Sequence, residues 1–589
     1  MTASFKTNPF SALLMGDESL TIACGDMILA GGHQIAAVIS RDDTVRDWAE
    51  RQGLTIYRAA DDLLQAGVTA DWLLSIANLR LISEAVLALP TRGAINFHDG
   101  PLPRYAGLNT PAWAIMNGEA QHRVSWHLIE AGVDKGDLLA QRMVDIAADE
   151  TAFSLNSKCY AAGMESFGEV LAQLESGSLQ TTPQDLSQRS YFARDKRPAG
   201  GGVIDFANDA QTISALVRGL NFGEYWNPLT TAKVVGAAGH VLTVSSVEVL
   251  ETTGGTPGEV ISVKGARLVV SAADAQLALE GLCDISGDTI VLSDVFKPGE
   301  RLPSSAGASP TPAEEPQWRR ALAGFDPLPV PLADAPAGAA RFTQRNIPLP
   351  QDLEQSLQVT AAALVALRSA GRGDGGLALC RQAEPAPLLA DWLPITVTAE
   401  AGTTIADVLE LLTPQLSHAT NSAGFARDLP LRDPAIGPLE TPDFAISFGT
   451  APLTGAALTL CLTPEGAMLL ADGTRLSEDA TNLLAARLEA AFAKVADAPD
   501  CGTVWALSGA EEQLLNRVNA TERSYDPLTL HTAFEVQVAR APDAPALVFE
   551  GETLSYATLN ARANQLAHML RDMGVGPGMP VALCTARGV

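Results

Sequence analysis

The chain has 589 residues, more than one ordinary core organises, so about three or four domains are expected. Acidic residues number 68 against 40 basic ones, a balance of −28, and such a surface repels phosphate backbones and argues against nucleic acid as the main partner. The seven cysteines are scattered with no C-x-x-C, which predicts free thiols rather than a disulfide framework or a metal site. The first residues, MTASFKTNPFSALLMGDES, lack a basic head followed by a sustained apolar run, and no later run is long and apolar enough to span a membrane, so a cytoplasmic protein is expected.

In chain order, FSALLMG (10–16) reads as a short apolar strand. Ser19 is positioned to cap a helix over LTIACGDMILAGG, which ends on two glycines. QIAAVIS (34–40) is the next strand, DDTVRDWAERQG a capped amphipathic helix, DWLLSIAN (71–78) a third strand, LISEAVLAL a helix and AINFH (94–98) a fourth strand. This alternation predicts an α/β fold, a Rossmann-like doubly wound and mostly parallel sheet, over residues 1–195. MGDES after the first strand is not G-x-G-x-x-G, so no dinucleotide site is expected. From 196 to 300 the texture changes to short β-rich runs (AKVV, HVLTVSSVEVL, GEVISV, ARLVVSA, QLALEGL) between Gly and Thr-Pro turns, which predicts a small β-barrel. RLPSSAGASPTPAEEP (301–316) is rich in Pro, Ala and Ser and reads as the start of a linker over 301–345, so a chain ending near 310 is expected to fold alone. Residues 346–510 mix strands (AISFG, LTLCLT) with an Ala-rich amphipathic helix, and a further segment begins at 511.

The chemistry concentrates at INFHDGPLPRYAG (95–107). Strand side chains alternate faces, so Asn96 and His98 project together while Ile95 and Phe97 project the other way. A double-proline turn then stiffens the backbone beside them. Downstream, VSWHLIEAGVDKGDLL carries another strand and then an acidic loop containing Asp134. An Asn, a His and an Asp converging on one pocket suit attack by an amine on an activated carbonyl. The amide N–H can hold the oxygen that gains charge, and the imidazole can donate to that oxygen or move the amine's proton. The carboxylate can orient the imidazole. His127 shares a face with Ser125 and is either a supporting partner or a buried, bonded histidine. The remaining histidines have no convergent partners in sequence and read as structural.

The set NFH…PLPRYAGLNTPAWAIMNGE…GVDKGDLL resembles the folate-dependent formyltransferases, the family of methionyl-tRNA formyltransferase and glycinamide ribonucleotide formyltransferase. That family carries an Asn-x-His, a Leu-Pro-x-x-x-Gly loop and an acidic loop 38 residues after the Asn, and Asp134 lies 38 residues after Asn96. The resemblance covers roughly residues 8–300. It implies a catalytic triad of Asn96, His98 and Asp134. It also implies 10-formyltetrahydrofolate as cosubstrate and a pterin slot at Arg80, Leu81 and Ile82, at Leu102, and along Gly132 and Val133. Arg80 reads equally as a surface arginine after a strand. The family's usual loop begins His-Pro-Ser-Leu-Leu-Pro, whereas this chain has His98-Asp99-Gly100-Pro101-Leu102-Pro103. That variant, with DWLLSIANLR and RYAGLNTPAWAIMNGE, resembles the formylation domains fused to nonribosomal peptide synthetases. Arg123 stands where the family usually has Gly.

Residues 503–575 resemble the join between a condensation and an adenylation domain, with LSYATL (554–559) matching the first adenylation core motif. The 589 residues hold no later phosphate loop and no Leu-Gly-Gly-x-Ser carrier site. Residues 346–510 resemble part of a condensation domain, yet none of the eight histidines forms the adjacent pair that condensation uses, so a degenerate domain is expected. The resemblance implies formylation of an aminoacyl group on a phosphopantetheinyl carrier, with downstream synthetase modules as partners and no nucleic acid or membrane. A formyltransferase acting on a free amine, an amino sugar or methionyl-tRNA stays open. So does a scaffold without activity.

Overall fold

The computed structural model describes residues 8–236, 239–252, 254–304, 310–336, 338–380 and 386–585. It divides into two compact units, one ending at Ser508 and one beginning at Gly509.

The N-terminal domain is built from β1 (Ser11–Met15), α1 (Ser19–Ala30), β2 (Gln34–Ile39), α2 (Asp43–Arg51), β3 (Ile56–Tyr57), α3 (Asp62–Ala66), β4 (Ala70–Ser75), α4 (Glu84–Leu87), β5 (Pro90–His98), β6 (Ala106–Gly107), α5 (Thr110–Met116), β7 (Gln121–Leu128), β8 (Leu138–Asp145) and α6 (Ala152–Ser176). Seven strands form one sheet in the order β3-β2-β1-β4-β5-β7-β8. The first five run parallel, and β7 and β8 are antiparallel additions. Strand order reverses between β1 and β4, so the crevice beyond their carboxyl ends is the natural ligand position.

Both faces of the sheet are covered, as buried parallel strands require. Ile95, Phe97 and Trp126 pack with Leu20, Ile28 and Phe167 on one face, while Leu13, Ile39, Leu73 and Ala94 meet Leu63 and Val86 on the other. Burying a side chain such as Phe97 contributes about 1.5–3 kcal/mol. Alternation along β5 puts Asn96 and His98 on the Ala94 face, where α3 and α4 are only five and four residues long.

Two local expectations change. Ser19 is the first residue of α1 rather than its cap: Glu18 holds the N-cap position, with no side-chain cap bond. The helix expected over LISEAVLAL shrinks to α4, because Pro90 onward is drawn into β5 beside β4.

After α6 the chain adds β9 (Tyr191–Phe192) alongside β6. The helix Ala210–Gly219 follows, capped by the Asp209 side chain. The β-rich segment forms two antiparallel sheets among the described residues, one of three strands (Ala232–Val235, Val241–Val244, Cys283–Asp284) and one of four (Ser246–Leu250, Val260–Lys264, Arg267–Ser271, Gln276–Glu280). Their hydrogen bonding does not close into a single ring, so the barrel expected over 196–300 is two sheets around one core. That core also holds Tyr105, Trp113 and Phe192, which ties it to the N-terminal domain.

The linker expected over 301–345 is corrected. Residues Glu315–Ala323 form a helix whose Trp318 and Leu322 are 4% and 1% exposed, and Phe342–Ile347 is an edge strand. Composition hid this, because two apolar side chains on one helical turn suffice to anchor a Pro- and Ala-rich stretch. The following domain has a six-stranded mixed sheet with long helices over Gln355–Ala370, Ile405–Asn421 and Glu478–Lys494. His418 lies against the Trp318 ring, 4.7 Å between centroids, in keeping with a structural histidine.

A buried ion network joins this domain to the two-sheet segment. Lys233 Nζ lies 2.7 Å from Asp428 Oδ2, which also accepts from Thr231 N at 3.0 Å. Arg432 pairs with Glu315, and Glu315 also accepts from Arg197 at 3.1 Å. Burial penalises charge on Asp428, but Lys233 and Arg432 outweigh it and hold the carboxyl well below the usual range.

The second unit contains helices Gly509–Asn519, Leu530–Arg540 and Tyr556–Asp572 and the hairpin Pro545–Phe549/Glu552–Ser555. The LSYATL motif is the strand-to-helix junction. Leu554 is 5% exposed, and the Ser555 side chain caps the last helix by accepting from Thr558 N at 3.2 Å.

Candidate active site

Antiparallel pairing of β5 with β7 sets Asn96 opposite His127 and His98 opposite Ser125. All four side chains therefore share one face. Asn96 Nδ2 lies 3.2 Å from His127 Nε2. His127 Nδ1 donates to its neighbour's carbonyl, Leu128 O, at 2.7 Å. That bond leaves Nε2 as the acceptor for the Asn96 amide. His98 is fixed the same way: Nε2–H donates to Tyr105 O at 2.7 Å, so Nδ1 is free to take a proton.

The third member arrives from the loop between β7 and β8. Asp134 Oδ2 stands 3.8 Å from His98 Nδ1, and its Oδ1 stands 3.6 Å from His127 Nε2. Gly107 N donates to Oδ2 at 2.9 Å. Two residues of this loop take left-handed backbone, Gly132 at φ 95° and Asp134 at φ 53°, which turns the carboxylate back toward the strand ends. Gln184 Nε2 donates to Asp134 O and Gly136 O at 3.1 and 2.6 Å, pinning the loop from outside. Burial alone would raise the Asp134 carboxyl, but positive charge on His98 or His127, when either ring carries its second proton, and the Gly107 amide hold it well below the ordinary range, so it is an anion at neutral pH.

The proline turn is built on a close approach. A Cβ at Gly100 would stand 2.6 Å from His98 Nε2 and 2.7 Å from Tyr105 O. Ser125 Oγ donates to Gly100 O at 2.6 Å and accepts from Gln141 Nε2 at 2.9 Å. Burial pushes the Tyr105 phenol up to about 12 and pushes His122 down, so both stay neutral around the site.

The structure thus brings Asn96, His98 and Asp134 together. His98 is 5% exposed and His127 2%, behind a partly buried Asn96 and an Asp134 side chain at 12%. His127 is a full neighbour of both Asn96 and Asp134. Its signal in the sequence was its parity with Ser125 on one strand, but only the β5–β7 register shows that it meets Asn96. Arg123 is exposed on β7.

The residues expected at the pterin slot are distributed differently. Register pairs Ser75, the last residue of β4, with Asn96, so the loop that follows lies one strand from the triad. In that loop Leu79 and Leu81 are 74% and 87% exposed, and across the crevice Val133 is exposed as well. Exposed apolar side chains beside a polar centre suit a flat heterocycle. Ile82 instead packs against the sheet. The Arg80 guanidinium is engaged by Asp17 at 2.9 Å, which ties the loop to the end of β1. Leu102 is buried, with its N–H on Ser125 Oγ at 3.4 Å and its carbonyl on Gln141 at 3.1 Å, so it supports the turn. A cleft of about 740 Å³, lined by His240, Asp284, Asp391 and Arg427, belongs to the junction of the later domains and holds none of these groups.

Residues 31–171 match the formyl transferase family, and residues 534–589 match the AMP-binding enzyme family. Among curated proteins, the chain is 28% identical over 227 residues to methionyl-tRNA formyltransferase of Agathobacter rectalis, covering 36% of this chain and 73% of that one. It is 27% identical over 315 residues to the enzyme of the same name from Geobacter metallireducens, covering 50% and 98%. Among solved structures, an N-formyltransferase from Helicobacter canadensis in complex with folinic acid and dTDP-3-aminofucose aligns with a TM-score of 0.39 at 17% identity, covering 46% of this chain and 99% of that one. The formyl transferase match contains Asn96, His98 and Asp134, and the enzyme class of the chain is N-formyl transfer.

Proposed function

We propose that this formyltransferase moves a formyl group from 10-formyltetrahydrofolate to the amine of an aminoacyl group held on a phosphopantetheinyl carrier. The observation that carries the transfer chemistry is the meeting of Asn96, His98, His127 and Asp134 at one strand end within the formyl transferase match. The carrier-bound acceptor is supported by the AMP-binding enzyme match at residues 534–589, since an adenylating domain in the same chain fits a substrate activated alongside.

The bound donor supplies an activated formyl carbon. The loop after β4 and the loop of Gly132 and Val133 offer it exposed apolar side chains, and Arg80 holds the first of these loops in place. The Asn96 amide N–H donates to the carbonyl oxygen under attack. Its orientation comes from His127, whose tautomer is set by Leu128 O. The attacking amine must be neutral, and it gives up a proton as the new bond forms. His98 Nδ1 takes that proton, and the Asp134 carboxylate stabilises the imidazolium that results. The proton then leaves with the departing nitrogen, which needs one to go.

Mass spectrometry of candidate aminoacyl carriers after incubation with the chain and 10-formyltetrahydrofolate tests this reading. A gain of one formyl group on the aminoacyl arm is expected. Formylation of free amines, amino sugars or aminoacyl-tRNA with the carriers left untouched would overturn the choice of acceptor.

A further inference from the structure

Asp99 occupies the place where the family's loop usually carries Pro, directly after the reactive histidine. Its Oδ1 stands 3.9 Å from His98 Nδ1, against 3.8 Å for Asp134 Oδ2 on the same nitrogen. It is held there from several directions. Thr110 Oγ1 donates to Asp99 O at 2.6 Å and approaches Oδ1 at 3.3 Å, and His122 Nε2 lies 2.6 Å from Asp99 O. Two carboxylates facing a bare imidazole lone pair repel it, whereas both attract once that nitrogen carries a proton. Because Tyr105 O already fixes one proton on Nε2, a proton taken up on Nδ1 would face both carboxylates at once.

We propose that Asp99 is a second carboxylate partner of His98, a positioning residue that works with Asp134 to stabilise the protonated imidazole formed during transfer. The role rests on the formyl-transfer reading only for its consequence on rate; the effect on His98 itself follows from the geometry. The other groups around the imidazole leave this balance to the two aspartates. From β7, His122 is kept neutral by burial, and His127 gives its Nδ1 proton to Leu128 O. From the proline turn, Tyr105 stays un-ionised and binds Glu119, which also pairs with Arg104. From α6, within the field of Asp99, burial pushes the Cys159 thiol and the Tyr160 phenol upward, so neither is charged.

The test is the titration of His98 in the full chain, followed by NMR with ring-labelled histidine and assigned by His98→Gln. Asp99→Asn keeps the volume and the Thr110 bond to the backbone, and Asp99→Ser is a second neutral variant. Each should lower the His98 midpoint by about one pH unit, because a lost negative neighbour weakens the protonated form. Asp99→Glu should restore most of that loss. In formyl transfer, the acidic limb of kcat/KM should move the same way, and kcat at neutral pH should fall about 3- to 10-fold with KM within about twofold, as expected for a weaker base. A His98 midpoint unchanged in folded Asn and Ser variants overturns the proposal. A shifted midpoint in a chain that formylates nothing, wild type included, supports the role of Asp99 and overturns the formyl-transfer reading instead.

Discussion

At the scale of single residues, the site divides its work between groups with fixed hydrogen-bond roles. In the proposed mechanism Asn96 donates to the attacked oxygen, and its loss would remove a bond that strengthens as charge develops. Asn96→Ala and His98→Ala are each expected to lower the rate of formyl transfer about 100-fold or more, read by single-turnover kinetics on a carrier or a surrogate amine. The fold should survive, since both residues sit at a strand end. Asp134→Asn keeps the volume and removes the charge that stabilises the imidazolium. Its rate should collapse while binding of a folate analogue, followed by calorimetry, stays within a few-fold. Full activity in that variant would leave the acidic loop a structural role alone. The depressed Asp134 carboxyl also stabilises the fold: its contribution is present above the ordinary aspartate range and is lost as pH falls through the lowered value.

At the scale of elements, the turn between β5 and α5 is closely packed around the reactive histidine. Gly100 has no room for a methyl group between His98 Nε2, Tyr105 O and Thr110 Oγ1, at 2.6, 2.7 and 2.9 Å. Two of these are hydrogen-bonded partners of one another, so the clash cannot be relieved by one rotamer. Gly100→Ala should cost about 1–3 kcal/mol of stability and displace the imidazole, lowering kcat more than it raises KM. Denaturant unfolding and steady-state kinetics on the same protein check both parts. The Arg80–Asp17 pair plays a comparable part on the other side of the crevice, tying the loop after β4 to the end of β1.

At the scale of the whole first unit, the domain carrying the six-stranded sheet is not a detachable extension. Lys233 and Asp428 are 2% exposed or less as residues, and Arg432 is 5% exposed. A chain cut near 310 would leave Lys233 without its carboxylate and Leu388 parted from Val235 and Ile285. Such a chain is therefore expected to aggregate or unfold, while one ending at 508 should give a single monodisperse species by size-exclusion chromatography. This reverses the expectation drawn from composition. Asp428→Ala should destabilise the unit by about 3–5 kcal/mol, because it strands a buried cation. The loss seen in Asp428→Asn should shrink as pH drops below about 4, where the wild-type carboxylate begins to lose its own advantage. A difference in Tm that stays constant down to the acid limit would show that the pair contributes through packing alone.

The sequence alone marked β1, α1, β2, α2, β4 and the end of β5, though not the short β3 and α3, and it pointed to Asn96, His98 and Asp134. Both follow from local rules: periods of two and 3.6 residues mark strands and helices, and motif spacing survives where overall identity is low. It also marked LSYATL as a motif, which the structure shows to be a strand-to-helix junction with Ser555 capping the helix. What only the tertiary structure decided depends on contacts between distant segments. The β5–β7 register made His127 the neighbour of Asn96, and the direction of the proline turn set Asp99 beside the same nitrogen as Asp134. The helix at Glu315–Ala323 was hidden because its stability comes from Trp318 and Leu322 entering a core assembled far along the chain, not from its own Pro-rich composition. The charged bridge between Lys233 and Asp428 was illegible for the same reason. Each residue alone reads as ordinary surface charge, and only folding removes the water that would make it so.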